Sequence, residues 1–154
     1  MSKLYRPEPT GDRLVPVVAT GIDVVAIDRI ASLRDQYGEP FDQRVFTDAE
    51  RDYCTRRARP DEHFAARFAA KEAFRKTLPE PSPSVPLHAV GVVRHAHGPT
   101  LEVSEDGWSA LATVAPTTSP DAVDTAVSLT HDRQTGVAAA HVTLLALETD
   151  RPRA

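Results

Sequence analysis

Apolar residues along this chain fall first in a β-branched run, then at helical spacing, then at short alternating intervals, which orders the predicted elements as strand, helices, strands. Residues 15–25 read as a buried first strand, with Pro16 near its start, where a missing amide does least harm. Ile27, Ile30, Ala31 and Leu33 continue as a helical stripe up to Tyr37, and Gly38 supplies the stop. Thr47-Asp48-Ala49-Glu50 has the form of a capping box, so a short helix starts there, carries Tyr53 and Cys54 inward and stops before Pro60. Asp61 is placed to cap a long central helix that Pro79 ends. Within it, Phe64, Phe68, Ala69, Ala73 and Leu78 are interleaved with Arg67, Lys71, Glu72, Arg75 and Lys76, so this helix must face two environments. Its many alanines leave little bulk and permit close packing against a sheet.

The prolines of PEPSPSVP then separate the helical pattern from the strand pattern. Val90 with Val92, and Leu101 with Val103, read as two short strands around a turn at Gly98-Pro99. Ser104 is a cap for a helix through Trp108, Leu111 and Val114, and residues 122–129 and 136–147 are the last two strands, joined by a polar turn at 131–135. Helices before antiparallel strands indicate an α+β fold, an antiparallel sheet packed against the long central helix. At 154 residues the expectation is a single domain over 14–148, between a flexible leader (1–13) and a tail (149–154).

Charge and composition narrow the partners. A net charge of -4 with 26% charged residues gives no global attraction to nucleic acid or an anionic membrane, and no aromatic platform interleaves with the basic run Arg56, Arg57, Arg59. The single cysteine, Cys54, has no internal partner, and no apolar run is long enough to cross a bilayer, so a cytoplasmic location is expected. A Gly-rich phosphate loop is absent.

Taken singly, the chemistry-bearing residues have plain readings. Glu72 and Lys76, four apart, fit a surface salt bridge, and Asp23 fits a helix cap. His131 fits a satisfied or exposed side chain, and His95 and His97 could share one face of a strand but lack a third ligand.

Four segments change these readings by standing in one order: Gly21-Ile22-Asp23-Val24-Val25-Ala26-Ile27-Asp28-Arg29-Ile30, the run from Arg44 to Cys54, Arg67-Phe68-Ala69-Ala70-Lys71-Glu72-Ala73, and Val127-Ser128-Leu129-Thr130-His131-Asp132. Together they resemble the signature segments of the holo-[acyl-carrier-protein] synthases, the small AcpS-type phosphopantetheinyl transferases, over about residues 15–147. The resemblance implies transfer of the phosphopantetheine arm of coenzyme A to a serine of an apo acyl carrier protein, with Mg²⁺ held by Asp23 and Glu72. It also implies Lys76 at phosphate oxygens, with His131 and Gly98-Pro99 beside the cofactor; Lys71 fits the same phosphate role and a structural one equally well. His131 and Asp132 would serve phosphate placement and proton transfer, the acceptor being His131, Asp132 or a metal-bound water, and Glu72 would join them as a catalytic residue through the metal. Arg29 matches the arginine with which the family meets its acidic carrier protein. Arg34 and Arg44 are neighbours that would extend the same patch or else belong to a solvated helix face, and the assembly would be a homotrimer. The chain departs from the family pattern at Ala26, where relatives usually carry an acid, at the shortened Gly98-Pro99 turn, and in the proline-rich loop. These departures motivate an alternative, a non-catalytic scaffold of the same fold that binds carrier protein or coenzyme A.

Overall fold

The computed structural model describes residues 14–78, 84–112 and 123–149. Strand β1 (Leu14–Ala26) leads into α1 (Ile27–Tyr37), α2 (Glu39–Val45), α3 (Asp48–Thr55) and α4 (Pro60–Arg75). A 3₁₀ turn (Leu87–Ala89) opens a hairpin of β2 (Val90–His95) and β3 (Gly98–Val103), followed by α5 (Glu105–Ala112), β4 (Val123–Asp132) and β5 (Val137–Thr149). Strands β1, β5 and β4 form an antiparallel sheet with β5 central, and β2–β3 form a separate two-stranded sheet. This is the expected α+β arrangement, with α4 lying across β1 and β5. The expected leader, Pro79, Val114 and residues 150–154 of the tail lie outside the described residues, while Thr149 belongs to β5.

Small residues make the central contact. Ala65, Ala66, Ala69, Ala70 and Ala73 of α4 are buried, as are Ala138, Ala140 and Val142 of β5. Gly21 brings the backbones closer still: a Cβ there would stand 1.9 Å from the Ala73 carbonyl oxygen, so only glycine lets β1 lie directly under α4. On the other side of α4, Phe46 packs edge-on against Phe64 with ring centroids 4.8 Å apart, and both rings are fully buried.

Four expectations about elements are revised. First, the described residues cover β1 on one face only: Gly21 and Val25 are buried, whereas Val18, Ile22 and Val24 are 62%, 62% and 61% exposed. An unbroken β-branched run does not say whether one face or two will be covered, and here α4 covers one. Second, α2 was absent from the pattern because its seven residues carry only Phe41 and Val45 as apolar positions; Gly38, at φ 61°, ends α1 and admits α2. Third, Arg59 rather than Asp61 stands at the N-cap of α4, with Pro60 in the first turn, and Asp61 instead accepts from Arg34 at 2.8 Å. Fourth, α4 ends at Arg75, with Lys76 as its C-cap.

The capping box at Thr47 forms as expected, with Glu50 N–H donating to Thr47 Oγ1 (3.2 Å) and Thr47 N–H to Glu50 Oε2 (2.9 Å). Ser104 caps α5 by accepting from the Gly107 amide at 3.3 Å.

Candidate active site

The strand–helix seam at Gly21 is where the first group of expected site residues meets. Lys76, leaving the end of α4, reaches β1 and donates from Nζ to the Ile22 carbonyl (2.8 Å) and to Asp23 Oδ1 (2.9 Å). Its side chain stays 53% exposed and that of Asp23 17%, so the pair is open to a ligand. Glu72, one helical turn earlier, accepts from Arg75 at 3.2 Å. The simple Glu72–Lys76 surface bridge therefore does not form, because the close approach at Gly21 offers Lys76 a carboxylate and a carbonyl on β1. Asp23 and Glu72 are carried by two elements locked together backbone to backbone. Among the described residues no group of three or more His, Cys, Asp or Glu side chains stands ready to hold a metal. Two partly exposed carboxylates nonetheless fit Mg²⁺, which commonly takes one or two protein carboxylates and completes its shell with phosphate oxygens and water.

A second group lies where α4 meets β2 and β4. Tyr53, His63, Arg67, Arg94, Pro99 and His131 line a cavity of about 110 Å³. Arg67 is 4% exposed; its guanidinium lies 4.1 Å from the centroid of the Tyr53 ring, and Nη1 donates to the His63 carbonyl at 3.3 Å. Its Nε is buried and has no partner among the described residues. His131 sits edge-on to His63 at 5.3 Å, with Nδ1 3.4 Å from Glu62 Oε2. Burial, then the neighbouring His131, Arg67 and Arg57, hold His63 below its ordinary imidazole value. Two guanidiniums and two imidazoles, with an unused buried N–H, make a cavity suited to an anion.

Other expected residues are placed elsewhere. Lys71 is not at a phosphate position: it is wholly buried and bridges Glu50 at 2.7 Å, because residue 71 falls on the face of α4 turned toward α3 and β2. Burial pushes its ammonium below the usual lysine value, opposed by the Glu50 carboxylate. Arg34 is not a free docking cation: it binds both oxygens of Asp42 (2.9 and 3.0 Å) and Asp61 (2.8 Å), and stacks 3.6 Å over Phe64, tying α1, α2 and α4 together. Asp132 closes the β4–β5 turn, accepting from the amides of Gln134 (3.0 Å) and Thr135 (3.2 Å) and from the Thr135 hydroxyl (2.8 Å). Those hydrogen bonds, the Thr135 hydroxyl foremost, hold its carboxyl below the usual range. Gly98 and Pro99 open β3 opposite His95 and Arg94, and of the two only Pro99 lines the cavity. Arg29 and Arg44 are exposed on α1 and α2.

The sequence reading gave Arg67 no firm role, and did not single out Arg94, Tyr53 or His63 for the site. Arg67 carried one usable signal, an arginine among alanines on a buried helix face, whereas the other three gather only through tertiary packing.

A fold in which Gly21 locks an acid-bearing strand onto the end of α4, and in which the same helix lines an anion cavity closed by a strand-end histidine, defines a class. The chain belongs to the 4'-phosphopantetheinyl transferase superfamily, whose family model matches residues 19–132. Within it, the chain is 50% identical over 62 residues to the holo-[acyl-carrier-protein] synthase of Syntrophus aciditrophicus, covering 40% of this chain and 48% of that one. It is 40% identical over 88 residues to that of Rhodopirellula baltica, covering 56% and 70%. The first alignment thus spans about half of that relative's length. Among solved structures, the ACPS–CoA complex of Chronobacterium ammoniagenes superposes with a TM-score of 0.66 at 26% identity, over 88% of this chain and 99% of that one.

Proposed function

We propose that this chain transfers the phosphopantetheine arm of coenzyme A to a serine of an apo acyl carrier protein, yielding the holo carrier and adenosine bisphosphate. The observation that carries this reading is the Lys76–Asp23 bridge across the Gly21 seam, with Glu72 one turn away, in the segments that match the family. In the reaction the serine oxygen forms a bond to the phosphorus that bears the arm. The bond from that phosphorus to the bridging oxygen breaks, and adenosine bisphosphate leaves with the electron pair.

Asp23 and Glu72 would hold Mg²⁺, which when bound neutralises charge on the diphosphate. Lys76, turned from the helix end to the strand, presents its remaining N–H to a diphosphate oxygen. Arg67, Arg94 and His131 supply the anion cavity for a phosphate of the donor, and Pro99 forms part of its wall. The His131 imidazole at the end of β4 is the acceptor for the serine proton, which leaves the Asp23 and Glu72 carboxylates to the metal. Asp132 acts through the turn, holding His131 at the end of β4 rather than taking a proton itself.

Assembly and partner recognition belong to the same reading. Val18, Ile22 and Val24, with Leu145 paired to Val18 on β5, form an apolar outer face that no described element covers; it supports a homotrimer joined through this sheet. An Ile22→Lys variant is expected to sediment as a monomer where the parent is trimeric, and a monomeric parent would end this part of the proposal. Exposed Arg29 and Arg44 suit an acidic carrier-protein helix, an encounter that salt should weaken.

The test is incubation with apo acyl carrier proteins, coenzyme A and Mg²⁺, read by intact carrier mass. A gain equal to the phosphopantetheine arm, lost with Glu72→Ala and with a chelator, supports the transferase. Unchanged carrier mass with coenzyme A still bound supports the non-catalytic scaffold.

A further inference from the structure

Two buried ionisable groups have no part in the transfer just described. Lys71 and Glu50 are 0% and 1% exposed, with Nζ 2.7 Å from Oε2. Their remaining bonds go mostly to one stretch of main chain. Lys71 Nζ donates to the carbonyls of Leu87 (3.1 Å) and Val90, and Glu50 Oε1 accepts from the Val92 amide at 2.8 Å. Among the described residues strand β2 pairs with β3 along one edge only, so the Val90 carbonyl and Val92 amide on the other edge are buried groups needing partners. The ion pair stands where a third strand would.

That edge bears on the anion cavity. Arg94 lies two residues beyond Val92 on β2 and faces Pro99 across the hairpin; both line the cavity. The opposite wall includes Arg67, one helical turn before Lys71 on α4. One wall is therefore fastened to the other through Lys71. A buried ion pair is weak as a source of net stability, since apolar groups of equal volume often serve as well. What it supplies that they do not is direction: three polar atoms, Lys71 Nζ and the two Glu50 oxygens, fixed on named main-chain and side-chain partners.

We propose that Glu50 and Lys71 are positioning residues that hold the β2–β3 hairpin against α4 and so set the width of the anion cavity, acting on coenzyme A through Arg94 and Pro99. This rests on the cavity's role in the proposed transfer. The test uses the full chain with Lys71→Met, and Glu50→Gln as the milder variant in case the first does not fold. Lys71→Met is expected to raise KM for coenzyme A about tenfold with kcat changed less than about twofold, and Glu50→Gln to move KM in the same direction by about threefold. Amide hydrogen exchange should quicken over residues 90–103 while β1, β4 and β5 keep the parent rates. A folded variant with parental KM and parental hairpin exchange overturns the proposal. So does exchange that quickens equally in every strand with kcat and KM falling together, which marks a general structural role. The exchange measurement needs no turnover, so a parent that transfers nothing defeats the functional reading while still deciding whether the pair holds the hairpin.

Discussion

Replacing Gly21 by alanine puts a methyl group where α4 already is. The new carbon would stand 1.9 Å from the Ala73 carbonyl oxygen and 3.0 Å from the Lys76 Cβ, whereas Cβ contacts under 3.0 Å essentially never occur. The carbonyl belongs to the helix main chain and has no rotamer to change, so α4 must lift from β1 by about 1 Å, enough to forfeit roughly a quarter to a half of the dispersion energy of each contact across the seam. Overpacking of this kind costs typically about 1–3 kcal/mol and occasionally more; the backbone clash argues for the upper part, about 2–3 kcal/mol. In a chain of this size that is a fall in Tm of roughly 4–12 °C. The same shift draws Lys76 away from Ile22 and Asp23, now 2.8 and 2.9 Å distant, so transfer should fall more than stability explains. Thermal unfolding by circular dichroism, with carrier-mass assays well below the variant's Tm, measures both. A Gly21→Ala protein that melts within about 1 °C of the parent and transfers at the parental rate would refute the reasoning.

Cys54 is fully buried and its thiol is pushed up to about 12 by desolvation, so it should react with a thiol reagent only at the rate of unfolding; rapid stoichiometric labelling of native protein would contradict this. Thr47→Ala removes the hydroxyl that accepts from Glu50 N–H and should cost about 1 kcal/mol in denaturant unfolding, with Thr47→Ser close to the parent. His63 has a folded pKa below its ordinary 6.5, so as pH falls from 6.5 the unfolded chain takes up its proton first. The stability contributed by neutral His63 is thus present above pH 6.5 and lost as pH falls toward the folded value. His63→Gln should flatten the pH dependence of unfolding in that window, and an unchanged profile would count against the placement of the ring.

Periodicity and capping chemistry were local enough to read. Thr47 and Glu50 satisfy each other within one turn, so the start of α3 needed no knowledge of the fold. The apolar runs likewise announced the strands, and the ordered segments around Asp23, Glu72 and His131 carried the family. Tertiary structure decided which face of each element counts. Helix α4 buries Lys71 against Glu50, while Lys76 at its C-cap turns outward to Asp23, a distinction set by what packs on each side and invisible to spacing alone. Arg34 looked like a docking cation until Asp42 and Asp61 arrived from two other helices. The anion cavity collects Tyr53, Arg67, Arg94 and His131 from four elements distant in sequence. Sequence fixes what lies within a turn or along a strand because those interactions are between near neighbours; charge partners and cavities are long-range, and exist only once the chain has closed on itself.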